Sequence, residues 1–164
     1  MEFAFGKACE RTTKMRITAY SNYALRTLMY AALKGDELSR VKDIAEAYNI
    51  SKAHLVKCVH QLGQWGYLDN YRGRNGGFKL AKPPGEITVG EVLRQTEDGF
   101  DLVECFVPAT STCPLTGLCE LSLTFKKALA AFLEVVDDVT VEDLIAGRKE
   151  LMEALSLVTE KVDS

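Results

Sequence analysis

The first sustained pattern of apolar positions begins at Tyr20. Tyr23, Ala24, Leu28, Ala31 and Ala32 recur at helical spacing, which predicts a helix over residues 20–33, with Ser21 as N-cap and Lys34-Gly35-Asp36 as its stop. A shorter helix is expected over 41–48, capped by Ser39 and turning Ile44, Ala45 and Tyr48 inward. Asn49-Ile50 makes a tight turn. Ser51 then caps a third helix over 52–65, which buries Leu55, Val59 and Leu62, with Cys58 on the same face, and ends at Gly66. Two short helices joined by a tight turn form the helix-turn-helix pattern.

Residues 67–71 read as a strand, 72–77 as a turn and 78–80 as a returning strand, because Asn75-Gly76 and the glycines of this stretch, Gly73 among them, accept positive φ at low cost. A hairpin directly after a helix-turn-helix is a wing. Pro83, Pro84 and Gly85 separate this module from the rest of the chain. Thr88 caps a helix over 89–96, and residues 97–119 show no period. From Leu118 onward, Leu121, Phe125, Ala128, Leu129, Phe132, Leu133 and Val136 follow one helical stripe. A helix of this kind packs against its own copy in a dimer or against its own subunit, and the pattern alone leaves both open. Thr140 and Glu150 begin two short C-terminal helices. The expected fold is therefore mainly α with a small β-hairpin: a leader over 1–14, a winged helix-turn-helix over 15–85, and a cysteine-bearing loop with a long dimerisation helix over 86–164.

Composition adds two facts. The 164 residues are 47% hydrophobic and 26% charged, ordinary globular values, and no apolar run is long enough to span a bilayer. With no secretory pattern over 1–14, the expectation is a cytoplasmic protein without a membrane segment, whose five cysteines stay reduced. The net charge of -3 conceals an asymmetry. Residues 15–82 carry eleven Lys/Arg against five Asp/Glu, and residues 83–164 carry six against sixteen. A basic first half suits a polyanion; two differently solvated surfaces would give the same count.

The polar side of the third helix offers Ser51, Lys52, His54 and Lys57. Ser51 and Lys52 suit phosphates at a helix N-terminus, and His54 and Lys57 suit base edges; singly, each would also fit a solvated face. Arg72, Arg74 and Asn75 stand on a Gly-rich tip without an acid, as a minor-groove or phosphate contact requires. Together these features imply binding to double-stranded DNA.

Cys105, Cys113 and Cys119 are spaced C-x7-C-x5-C, unlike the close pairs and four ligands of structural zinc sites. Three soft thiolates suit an iron–sulfur cluster whose fourth position is filled by another group. Buried structural cysteines remain an alternative, although the three lie in irregular sequence. Cys58 reads as core and Cys9 as incidental.

At these residues the chain, from Met15 to about Leu157, resembles the winged-helix iron–sulfur transcription regulators, the family of IscR, NsrR and RirA. The resemblance is carried by Tyr23-Ala24-Leu25-Arg26, the helix pair ending in Gly66-Tyr67, RGRNGGFKL from Arg72, TEDGFDLVECF, CPLTGLC and LTFKKALAAFLEVVDDVTVEDL. It implies a homodimeric repressor of a palindromic operator, controlled by a cluster, [4Fe-4S] rather than [2Fe-2S], on Cys105, Cys113 and Cys119. Within the family the resemblance is closest to the iron regulator RirA, which implies iron or cluster availability as the signal, with nitric oxide as the alternative. Nitric-oxide sensors of the family can take a fourth ligand, an aspartate, from the partner's first helix; the matching position here is Asn22. The biogenesis regulator has a histidine where this chain has Ser122. Both departures leave the fourth iron without an obvious protein ligand, and water, a small thiol, or one of the nearby carboxylates Glu97, Asp98, Glu104 and Glu120 are the alternatives for that position. Two other classes compete. An iron–sulfur or thiol oxidoreductase would lack a CxxC pair and a Gly-rich nucleotide loop here, and the two histidines, His54 and His60, both fall in the reading helix. A cluster-free DNA-binding module would use the cysteines as thiol switches or structurally.

Overall fold

A computed structural model describes residues 16–74 and 76–157; the expected leader with Cys9, and Asn75 at the wing tip, lie outside the described residues. Helix α1 spans Ala19–Lys34 and is capped by Thr18, whose hydroxyl accepts from the Ser21 backbone N–H at 3.2 Å. Ser21, expected as the cap, is instead buried within the first turn. Both residues carry a capping hydroxyl, and the side chain at position 18 reaches the orphan donor three residues on. Gly35 ends α1 at φ 61, a left-handed turn suited to glycine.

Helices α2 (Val41–Tyr48) and α3 (Lys52–Gln64) come next, joined by Asn49 in the left-handed region at φ 52. The expected Ser39 cap of α2 does not form. The Ser39 backbone instead pairs with Phe78, donating at 2.8 Å and accepting at 2.9 Å, and Arg40 takes the cap position without a side-chain bond. Two buried backbone hydrogen bonds outweigh one side-chain cap. Ser51 holds the N-cap position of α3, but its hydroxyl makes no cap bond.

The wing consists of β1 (Leu68–Tyr71) and β2 (Gly77–Leu80), antiparallel with Leu68 opposite Leu80 and Tyr71 opposite Gly77. A Cβ at Gly77 would sit 2.5 Å from the Ser39 carbonyl oxygen. Gly77→Ala should therefore force the bridge apart and cost about 1–3 kcal/mol in a urea titration; unchanged stability would mean that the bridge yields freely.

The chain continues through α4 (Val89–Thr96), α5 (Glu120–Asp137), α6 (Val141–Leu144) and α7 (Arg148–Ala154). Thr88 caps α4 and Thr140 begins α6, both as expected, and Thr140 also forms a reciprocal capping box with Asp143. Helix α7 begins before Glu150, directly after Gly147. Helix α1 packs against α3, β2, α4 and α6, so one core joins Ala24, Leu28, Ile44, Leu55, Leu62 and Phe78 to Ile87, Val92 and Val141. The Arg148 guanidinium donates to the Leu33 carbonyl at 2.5 Å, closing the end of α1. The fold is mainly α with a small β-hairpin: a winged helix-turn-helix with a long helix after it.

That long helix has two apolar faces where the sequence reads as one stripe. Phe125, Leu129, Leu133 and Val136 are half-buried, on the side where α5 meets α4. Leu121, Phe132 and Val135 are 60%, 39% and 65% exposed, and Ala128 lies between them, also exposed. Arg94 and Asp137 form a bidentate ion pair that fastens α4 to the end of α5.

Candidate nucleic-acid interface and cysteine segment

The buried side of α3 carries Leu55, Cys58, Val59 and Leu62, which turns Ser51, Lys52, His54 and Lys57 to the exposed side. His54 is not simply free there. Its ring stacks on Tyr23 of α1, with centroids 6.1 Å apart and planes 20° apart, so the start of α3 leans on α1. On the wing, Arg72 and Arg74 are exposed, and Gly73 between them adopts φ 115. A groove between α3 and the wing brings Arg72 and Asn70 together with His60 and Gln64. His60 and Gln64 escape a reading that weights the helix N-terminus; their spacing of four along one exposed ridge is the signal for them. Loss of one phosphate contact should lower the salt slope of DNA binding by about 0.9. Arg74→Ala should show that reduction together with weaker binding in anisotropy titrations at several salt concentrations, and an unchanged slope would remove Arg74 from the interface.

The three cysteines lie on one segment between α4 and α5, and all are free and half-buried. Cys105 sits in a single 3-10 turn, Glu104–Phe106. Cys113 opens a turn held by Thr116, whose hydroxyl donates to the Cys113 carbonyl at 2.8 Å. Cys119 occupies the N-cap position of α5 and makes no side-chain cap bond, which places its sulfur at the positive end of an 18-residue helix. The Thr112 hydroxyl donates to the Glu104 carboxylate at 3.4 Å, drawing the first two turns together. Phe100 packs on Phe132 and the Lys126 ammonium lies over Phe106, tying the segment to α5. Among the described residues, no three His, Cys, Asp or Glu side chains converge closely enough to hold a metal ion. The segment thus gathers the thiols along one stretch without closing them around a point. Cys58 differs in kind: it is fully buried, and burial pushes its thiol up to about 11.

Sequence reasoning treats Glu97 only as a carboxylate near the cysteines. In the fold it accepts from the Thr18 backbone N–H at 2.9 Å, from the Thr18 hydroxyl at 3.0 Å and from the Ser21 hydroxyl. The residue leading into the cysteine segment is thereby knotted to the start of α1. These partners stand 76 and 79 positions apart, so no local pattern announces them. Asn22, the next residue on α1, is exposed.

Residues 17–147 match the model of the Rrf2 family, described as iron-dependent transcriptional regulators. The chain belongs to the Rrf2 family. The HTH-type transcriptional regulator NsrR of Bacillus licheniformis is 46% identical over 143 residues, which cover 87% of this chain and 100% of that one. The structure of CymR, the global cysteine regulator of B. subtilis, matches with a TM-score of 0.63 at 28% identity, over 81% of this chain and 98% of CymR. T. potens IscR shares the fold, with a TM-score of 0.66 at 22% identity over 84% of this chain and 90% of its own. The Rrf2 chain is a transcription regulator, and among its described residues no helix is long and apolar enough to cross a membrane.

Proposed function

We propose that this Rrf2 regulator is a homodimeric repressor whose hold on a palindromic double-stranded operator depends on the state of an iron–sulfur cluster on Cys105, Cys113 and Cys119. The observation that carries this reading is the contrast among the described cysteines: three free, half-buried thiols on one irregular segment, against one sealed in the core. Soft thiolates suit iron, and three of them leave one iron of a four-iron cluster to another group. When bound, the cluster would supply an iron- and oxidant-sensitive link among the three sulfurs. Asn22 offers only a neutral amide toward the fourth position, and Glu97 is engaged by α1, which favours a labile cluster.

The chain's own residues supply the coupling. Phe100 and Phe106 tie the segment to α5, Glu97 ties it to α1, and Tyr23 ties α1 to His54 on the reading helix. A rearrangement of the segment is thus felt at α3, and the equilibrium between two placements of the reading helices is biased. In this reading residues 15–85 read DNA and residues 86–164 hold cluster and dimer. Two-fold symmetry of the dimer matches a palindromic site.

Iron or cluster availability is the signal we favour, because the fourth position lacks a carboxylate. Nitric oxide is the second reading, favoured by the 46% identity to regulators named NsrR. The test is to purify the protein anaerobically, assay iron and sulfide, and titrate DNA before and after a chelator or nitric oxide. Cluster loss under the chelator with a change in DNA affinity of tenfold or more supports the iron reading, and a response to nitric oxide alone supports the second. Protein without iron and sulfide, or with an affinity indifferent to both treatments, would overturn the proposal.

A further inference from the structure

One apolar side chain on the reading helix has no task inside the subunit. Val56 is 54% exposed, while Leu55, Cys58, Val59 and Leu62 supply the face that α3 buries. It stands four residues from Lys52 and four from His60, so the three form one ridge of the helix, cationic and polar at its ends and apolar at its centre. The ridge overlooks a groove of about 390 Å³ whose other wall is the wing, with Asn70 and Arg72. A reading helix that enters the major groove carries such a ridge to the base edges, while Arg72 addresses the sugar–phosphate backbone beside them.

We propose that Val56 is a specificity-determining residue that packs on the 5-methyl group of a thymine in the operator. This rests on the DNA-binding reading of α3 and the wing. A valine side chain has no hydrogen-bond donor or acceptor, so it contributes nothing at the polar edges of guanine, adenine or cytosine. Thymine alone among the bases of DNA presents a methyl group in the major groove. Lys52 and His60 on either side hold the helix by charge and hydrogen bonding, and Val56 adds the apolar contact between them. The wing side of α3 thereby selects a T·A pair at one fixed position in each half-site. Burial of one methyl group corresponds to about a fourfold change in affinity.

The test uses the full-length protein and a duplex selected by it from a random library, in whichever cluster state retains DNA. Each thymine of the selected duplex is replaced singly by deoxyuridine, which removes only the methyl group. Wild type should lose about fourfold in affinity at one thymine per half-site. Val56→Ala, a change at an exposed position, should bind the unmodified duplex correspondingly more weakly and lose nothing further on that replacement. Val56→Thr, which keeps a branched γ-methyl, should retain most of the penalty. A Val56→Ala protein that still shows the full deoxyuridine penalty, or a wild type indifferent at every thymine, overturns the assignment while leaving DNA binding intact. Failure to select any duplex in either cluster state overturns the DNA-binding reading, and this inference with it.

Discussion

Cys105→Ala, Cys113→Ala and Cys119→Ala, each purified without oxygen, are expected to lack stoichiometric iron and sulfide, whereas Cys58→Ala should carry both at wild-type levels. The three loop thiols are half-buried, free and set on turns whose hydrogen bonds come from the backbone, Ser, Thr and Glu side chains, so none is committed to core packing. In the proposed cluster site, removing any one leaves only two protein sulfurs to hold the iron. Cys58 lies beneath α1 among Leu55, Val59 and Leu62, with its thiol held protonated by burial, and a metal ligand must be a thiolate. Its loss should therefore appear as a modest fall in stability, in melting curves and not in colour. Full iron and sulfide in any one of the three loop variants would strike that residue from the ligand set. Loss of the cluster in Cys58→Ala with the fold intact would overturn the division between the two kinds of cysteine.

Val135→Glu should shift the protein toward monomers, by at least about a hundredfold in dimer dissociation constant. Leu121, Ala128, Phe132 and Val135, the exposed apolar face of α5, follow one another at steps of seven, four and three, the spacing of a coiled-coil seam. Within one subunit Val135 is 65% exposed, so a glutamate there costs the isolated chain almost nothing. In a two-fold seam, the substitution places two carboxylates side by side in an apolar contact, and a penalty of about 3 kcal/mol in total suffices for the stated shift. Sedimentation of wild type and variant at micromolar concentration measures it. A Val135→Glu protein that remains dimeric would place the association surface elsewhere.

What could be read from the sequence were features whose cause is local. Thr88 and Thr140 cap their helices because a hydroxyl finds a backbone donor three residues on, and Gly35 ends α1 because the turn there is left-handed. The Asn49 turn and the wing are likewise set by a few neighbouring residues. Ser39 misleads because its backbone partner, Phe78, is remote in sequence; a capping residue beside a helix looks the same whether or not a strand claims its backbone. Ser21 misleads more narrowly, since Thr18 offers the same hydroxyl one turn earlier. The stripe on α5 merges two faces because spacings of three and four serve both a packed face and a seam, and only exposure separates Leu129 from Phe132. At the candidate site, the cysteine spacing and the basic wing are legible as chemistry. The Glu97 knot and the Tyr23–His54 stack join segments far apart in sequence, and such pairings leave no periodic trace.

The clamping of α1 at both ends bears on how the chain is made. This helix leaves the ribosome before the residues that hold it: its start is fastened by Glu97, its flank by Ile87, Val92 and Val141, and its last carbonyls by Arg148. During synthesis α3 can pair with α1 early, but α1 stays open along its other side until α4 and α6 have emerged. Helix α1 is therefore fastened along both sides only after the cysteine segment, which is translated between α4 and α5, has been made. A nascent chain interrupted before α4 would leave the apolar flank of α1 uncovered, the kind of surface on which cellular quality control acts.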